Sequence, residues 1–250
     1  MTAAREIYEY IDSFAPFDSA MGFDNVGILV GDPEESSRLV LLALDVTSAV
    51  IEEAQKKGCK IIITHHPIIF SPLKSIPAQS LQYKLIRAGI TVISAHTNLD
   101  ICPGGVNDCL AEKIGLTIAE HTNEDCFLTA ELEEKVSSEK LAGIIKRALD
   151  CKGLRFTRRS GDIKRVTVSC GAGGSNIFAA AKAGADAFVT GEIKHHEIVF
   201  ARENNIAVYD SGHFRSEDVV IERLAQRMRE HFPGTEFEKA EADAEGIEYI

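Results

Sequence analysis

His65 and His66 stand side by side in Thr64-His65-His66-Pro67, and two other segments, His96-Thr97-Asn98-Leu99-Asp100 and Ser211-Gly212-His213, lead to Asp100 and Glu217. Imidazoles and carboxylates are the side chains that ligate borderline divalent metals. The imidazoles of His65, His66 and His213 with the carboxylates of Asp100 and Glu217 form a donor set suited to zinc, manganese or iron. Adjacent side chains on an extended segment point to opposite sides, so His65 and His66 are expected to reach different ions rather than to chelate one. Glu217 offers two oxygens, one per ion, and the pattern favours a two-metal site. Taken singly, each histidine is more often a core or loop residue satisfied by its neighbours than a ligand. The clustering behind strands carries the metal reading, because open sheets bind ligands outside the carboxyl ends of their strands.

The elements that must position these residues are legible from periodicity. Ile7, Tyr10, Ile11 and Phe14 recur at helical spacing and predict a helix over 5–14, ended before Pro16. Val26 to Val30 and Leu39 to Leu44 read as strands, Thr47 as the N-cap of a helix through Lys57, and Lys60 to Ile63 as a buried strand. A helix over 78–88 and a strand over 90–95 follow. Helix-like runs at 105–114, 138–149, 177–183 and 194–203 then alternate with strands near 153–156, 165–169, 187–190 and 206–209. A last helix is predicted from Glu217, capped by Ser216, with Val220, Leu224, Met228 and Phe232 on one face. Such alternation predicts an α/β fold, as two interlinked α/β lobes with mainly parallel sheets. The polar stretch Glu120 to Asp125 is the expected boundary. Residues 1–124 with 207–250 then form the metal-binding lobe and residues 125–206 the second lobe.

Composition narrows the function. The 250 residues are 45% hydrophobic and 26% charged, which excludes a disordered or low-complexity chain. With 38 acidic against 27 basic side chains the net charge is −11, so the average field repels nucleic acid. The visible basic groups, Arg155, Arg158, Arg159, Lys164 and Arg165, read as a solvated face. Six cysteines without a C-x-x-C pair read as reduced thiols outside the ligand set. The charged first residues do not form an apolar leader, and no run approaches the roughly 18 apolar residues of a membrane span. The expected location is cytoplasmic.

The sequence resembles the Nif-three-like dinuclear metal centre proteins, also known as GTP cyclohydrolase I type 2 homologues. The resemblance spans the chain and rests on Phe23-Asp24-Asn25-Val26-Gly27, Ala43-Leu44-Asp45-Val46-Thr47, Ile63-Thr64-His65-His66-Pro67, Ser94-Ala95-His96-Thr97-Asn98-Leu99-Asp100, Gly104-Gly105-Val106-Asn107-Asp108, Gly171-Ala172-Gly173-Gly174, Thr190-Gly191-Glu192, His195-His196 and Gly212-His213 with Ser216-Glu217. It implies a Nif-three-like fold and two divalent ions per chain, one on His65 and Asp100, the other on His66 and His213, with Glu217 bridging. It also implies a toroidal homohexamer, here in the short form without a large inserted domain. The family often has an acidic residue before the aromatic that precedes Asp-Asn; here Gly22 stands there.

Several residues keep two readings. His96 is expected either to orient a ligand, bind substrate and serve as an acid, or only to tie down its loop. His195 and His196, with Glu192, form a general acid or base cluster or a solvated helix start. Asp24 and Asn25 approach the site or make an Asx turn. The Gly171–Gly174 run lacks the Lys-Ser/Thr of a P-loop and reads better as a tight structural turn. Two metals sharing a carboxylate suit a hydrolase acting on a nucleotide or phosphoester. The alternative is a non-enzymatic hexameric metal-binding scaffold or regulatory protein.

Overall fold

A computed structural model of the chain describes residues 1–121 and 126–250. In chain order the first elements are β1 (Thr2–Ala3), α1 (Ala4–Phe14), β2 (Gly27–Val30), β3 (Ser36–Ser37), β4 (Leu39–Ala43), α2 (Ser48–Lys57) and β5 (Ile61–Thr64). Then come α3 (Leu81–Ala88), β6 (Thr91–Ser94), α4 (Thr97–Ile101), α5 (Val106–Lys113), β7 (Thr117–His121), β8 (Leu128–Val136), α6 (Ser138–Ala148) and β9 (Arg155–Phe156). The chain closes with β10 (Ile163–Ser169), α7 (Ile177–Lys182), β11 (Ala187–Thr190), α8 (His195–Glu203), β12 (Ala207–Asp210), α9 (His213–Glu217), α10 (Val219–His231) and β13 (Glu236–Lys239).

Two compact units result: Met1–Cys102 with Ile221–Ala244, and Pro103–Val220 with Glu245–Ile250. The chain passes between them three times, which is the interlinking expected of this α/β fold. Residues 103–121, 207–220 and 245–250, grouped from sequence with the first lobe, instead fall in the second unit. The cause is strand pairing, since β7 pairs with β8 and β12 with β11 in one sheet. The expected boundary at 120–125 does not divide the units: Glu120 and His121 end β7 inside the second unit, and residues 122–125 lie outside the described ones.

In the first unit the sheet runs β13-β4-β5-β6-β2, parallel except for β2, which is antiparallel to β6. Ile61, Ile62 and Ile63 of β5 are fully buried, as a central strand covered on both faces requires. Thr47 Oγ1 accepts from Val50 N at 3.2 Å, the predicted cap, and the helix it starts buries Val50, Ile51 and Ala54 against Leu41, Ile62 and Val92. Helix α1 buries Ile7 and Ile11 as its period requires.

The sheet of the second unit, β7-β8-β10-β11-β12-β9, is mixed: only β10, β11 and β12 are mutually parallel. Strands β7, β8 and β13 give no period-two signal in sequence: β7 is almost wholly exposed, β8 passes from a buried run at Leu128–Ala130 to the exposed Glu133, Glu134 and Lys135, and β13 has a single apolar residue, Phe237. The helix predicted from Glu217 starts at Val219 as α10 and ends at His231, leaving Phe232 just past it and half-buried, and a short separate helix, α9, precedes it. Ser216 lies buried within α9 rather than at a cap, with its Oγ donating to His213 O at 2.7 Å and accepting from Gly171 N at 2.9 Å. The apolar line Val220, Leu224 and Met228 is buried as predicted.

Candidate metal centre

Every candidate ligand follows the carboxyl end of a parallel strand. In the first unit β4, β5 and β6 stop in register at Ala43, Thr64 and Ser94, and the chain continues into Asp45, His65-His66 and His96. His65 N and His66 N bond consecutive carbonyls, Ala43 O at 3.1 Å and Leu44 O at 2.9 Å, so the ladder's alternation has ended before the two histidines. Their rings therefore converge, with centroids 5.1 Å apart, where simple strand alternation predicts that they diverge. His96 joins them at 5.1 and 5.6 Å between centroids, and the three residues offer donor atoms within 4.8 Å of one another.

A single hydrogen-bonding rule orients the rings. His65 Nδ1 lies 2.9 Å from Ala95 O, His66 Nδ1 2.9 Å from Asp45 Oδ1, and His96 Nδ1 2.9 Å from Asp24 Oδ1. A carbonyl or carboxylate oxygen only accepts, so in the neutral imidazole Nδ1 carries the proton and Nε2 the lone pair. His65 Nε2 in turn lies 3.4 Å from Asp100 Oδ1, with both side chains buried. A lone pair facing a carboxylate is satisfied by a second proton or by a metal cation between them. Oxygen acceptors behind ligating imidazoles are the usual outer support of metal sites.

The second unit repeats the rule. Strands β10, β11 and β12 end at Ser169, Thr190 and Asp210, and the following residues supply Gly171, Glu192 and His213. His213 Nδ1 lies 2.8 Å from Glu192 Oε1, and His213 Nε2 lies 3.0 Å from Glu217 Oε2 one helical turn on, with Glu217 buried. Gly171 is what lets this pair in. Its φ is +52°, and a Cβ there would stand 2.0 Å from Glu217 Oε1 and 3.2 Å from His213 Nε2. The glycine run is thus a tight turn with one further duty, close approach to a buried carboxylate.

Of the residues singled out from sequence, the first unit brings His65, His66, His96 and Asp100 together, and the second His213 and Glu217. His195 and His196 stand exposed on the first turn of α8 and belong to no group of three or more donors among the described residues. Glu192, grouped with them in sequence, instead backs His213. Sequence reasoning missed Asp45 as the residue behind His66; its only signal was its place in a strand-end motif. The cysteines stay apart from this chemistry: burial pushes the Cys59 thiol up, and that of Cys151 up to about 11. Arg155, Arg158, Arg159 and Arg165 each pair with a carboxylate, of Asp210, Glu139, Asp186 and Glu120 respectively.

Asp24 takes the first of its readings, since it approaches the site through His96 and Thr97, while its backbone bond comes from the next residue rather than from two residues on as in an Asx turn. Its Oδ1 accepts from Asn25 N at 2.8 Å and faces His96, while Oδ2 accepts from Thr97 N at 3.0 Å and Thr97 Oγ1 at 2.5 Å. Burial alone would raise this carboxyl, but the bonds from His96 and Thr97 and the charge on His96 outweigh it and hold it well below its ordinary 3.8. A depressed carboxyl stabilises the fold above its unfolded value and loses that contribution as the pH falls through the folded one. Asp24→Asn is therefore expected to cost roughly 1–3 kcal/mol at pH 7. In urea titrations the gap to the unsubstituted protein should narrow below about pH 4; a gap constant down to pH 2 would contradict this account.

The chain is similar to known proteins along nearly its whole length. A family model described as Duf34/NIF3 (NGG1p interacting factor 3) matches residues 2–245. A GTP cyclohydrolase 1 type 2 homolog of Clostridium perfringens is 34% identical over 238 residues, covering 90% of this chain and 91% of the relative. Among solved structures, Staphylococcus aureus protein SA1388 superposes with a TM-score of 0.91 at 28% identity, covering 100% of this chain and 99% of the other. Reduced HcgD from Methanocaldococcus jannaschii does so at 0.82 and 28%, covering 96% and 98%. Among the described residues no helix is long and apolar enough to cross a membrane.

Proposed function

The chain belongs to the Duf34/NIF3 family, and from that premise and the two donor sets we propose that it binds two divalent metal ions and uses them to hydrolyse a nucleotide or phosphoester. His65 and Asp100 would hold one ion and His66 and His213 the other, with Glu217 shared between them. The observation that carries this reading is the repeated support behind the imidazoles: His65, His66, His96 and His213 each have an oxygen acceptor on Nδ1, which turns Nε2 toward a ligand. The donors are nitrogen and oxygen, which fits zinc, manganese or iron. Two such ions would supply Lewis acidity and an activated water.

The chain's own residues do the rest. Asp45, Ala95 O and Glu192 fix the ring planes of His66, His65 and His213, so no ordering of the imidazoles remains for the moment of reaction. His96, held at Nδ1 by Asp24, would give a proton to the departing group from Nε2–H of its doubly protonated ring; the half-buried position of that ring beside His65 and His66 favours it over the exposed His195 and His196. The same reading takes the assembly as a homohexamer, checked by light scattering against the 27.3 kDa chain mass.

Metal content of protein purified without chelators tests the proposal. Mass spectrometry should find about two ions per chain, and the His65→Ala, His66→Ala double variant should lose most of them. Empty protein after incubation with zinc, manganese and iron would end the reading. With metal loaded, His96→Ala should retain the ions yet lower kcat by about 10²–10⁴-fold on whichever nucleotide or phosphoester turns over.

A further inference from the structure

Two phenylalanines of the first unit are exposed on segments that adjoin its histidines in the chain, Phe23 before Asp24 and Phe70 four residues after His66. Phe23 is 63% and Phe70 52% accessible, and their ring centroids lie 6.2 Å apart at an interplanar angle of 42°. Scattered exposed apolar residues need no explanation, but a facing aromatic pair on pinned backbone is different. Phe23 is followed by Asp24, whose carboxylate is bound to His96 and Thr97. Phe70 closes the short segment that runs on from His66-Pro67, and the residue before it, Ile69, accepts from Asn25 Nδ2 at 2.6 Å. Ile68 O is held as well, by Gln82 Nε2 at 2.6 Å. The rings thus stand on two strips of chain that are tied to each other and to the His96 loop, so their placement costs little further ordering when a ligand arrives.

We infer that Phe23 and Phe70 form a stacking platform for a planar heteroaromatic ring of the ligand, set beside His66 and His96. The inference deepens the proposed hydrolytic reading and rests on it for the placing of the reacting bond. A ring between two parallel faces needs about 7 Å, two stacking distances of about 3.5 Å. At 6.2 Å and 42° the pair makes an open corner instead, in which a flat ring stacks on one face and meets the other at its edge. Stacking on aromatic side chains tolerates any flat base and asks for no hydrogen-bond code. Specificity would then lie with the polar groups around His96. The net charge of −11 favours a small-molecule ligand over a polyanionic strand.

The chain has no tryptophan, so Phe70→Trp places the sole indole on the platform. Guanosine and adenosine monophosphate should quench its emission saturably, and ribose 5-phosphate at equal concentration should not. Adding Phe23→Ala should weaken the nucleotide Kd about tenfold, while Phe23→Tyr should hold it within about twofold. Equal quenching by ribose 5-phosphate, or no saturation up to about 5 mM nucleotide, would overturn the platform. So would a changed oligomeric mass of Phe23→Ala by light scattering, which would assign the rings to a contact between copies. Metal content measured on the same samples separates the two readings. Two ions without nucleotide quenching overturn the platform alone, whereas quenching without ions supports the platform and overturns the metal reading.

Discussion

Gly171→Ala is expected to lower the melting temperature and the metal content of the proposed site, although it adds one methyl group at a distance from the first unit's histidines in sequence. The backbone at 171 has φ +52°, which costs an L-residue about 1 kcal/mol. The added carbon would stand 2.0 Å from Glu217 Oε1, and Glu217 is buried, so the carboxylate has no solvent to swing into. Overpacking of this kind costs about 1–3 kcal/mol beyond the backbone term. For a chain of this size the sum corresponds to a loss of roughly 4–15 °C. Displacing Glu217 also moves it from His213 Nε2, so bound metal by mass spectrometry should fall well below the unsubstituted level. Unchanged melting and unchanged metal would show that the turn relaxes freely and would remove Gly171 from the argument.

Glu217→Gln should produce the opposite balance: loss of metal with little loss of intrinsic stability. Glutamine keeps the volume but not the charge, and a buried carboxylate is costly unless a cation or strong donors compensate it. Metal affinity should drop by more than about 100-fold, the upper end of what removing outer supports of a site costs. A ligand present at 100 times its Kd stabilises the native state by about 2.7 kcal/mol, so the unsubstituted protein should melt several degrees higher with saturating zinc or manganese. The variant should show no such rise, while its metal-free melting stays close to that of the unsubstituted apoprotein. A metal-dependent rise that survives in Glu217→Gln would exclude this residue as the bridge. Because ligand and proton compete for the same Nε2 and carboxylate atoms, the rise should also shrink as the pH falls. Combining Glu217→Gln with Gly171→Ala should cost less metal binding than the two effects summed, since both act through one carboxylate.

Sequence by itself determined the α/β class, most of the central strands, the Thr47 cap and the fact that histidines follow strand ends. These are local properties. A strand's period, a cap's side chain and a buried isoleucine run are encoded within ten residues of one another. The same locality explains the errors. Ser216 has the chemistry of a cap, yet the fold uses its hydroxyl inside α9 to hold Gly171 N. The strands β7 and β8 in one sheet and β13 in the other pair through residues whose own pattern is too polar to announce it.

Only the tertiary structure decided which acceptor stands behind which imidazole. Asp45 and His66 are 21 residues apart, Asp24 and His96 72, Glu192 and His213 21, and the partner of His65 is a backbone carbonyl with no signature in residue type. Hydrogen bonds of this kind depend on strand register and on where parallel strands stop together, and register is a property of the assembled sheet. The convergence of His65 and His66 has the same origin. Alternation predicts that they diverge, but the ladder ends one residue before them, and past that point packing and hydrogen bonds set the direction of a side chain.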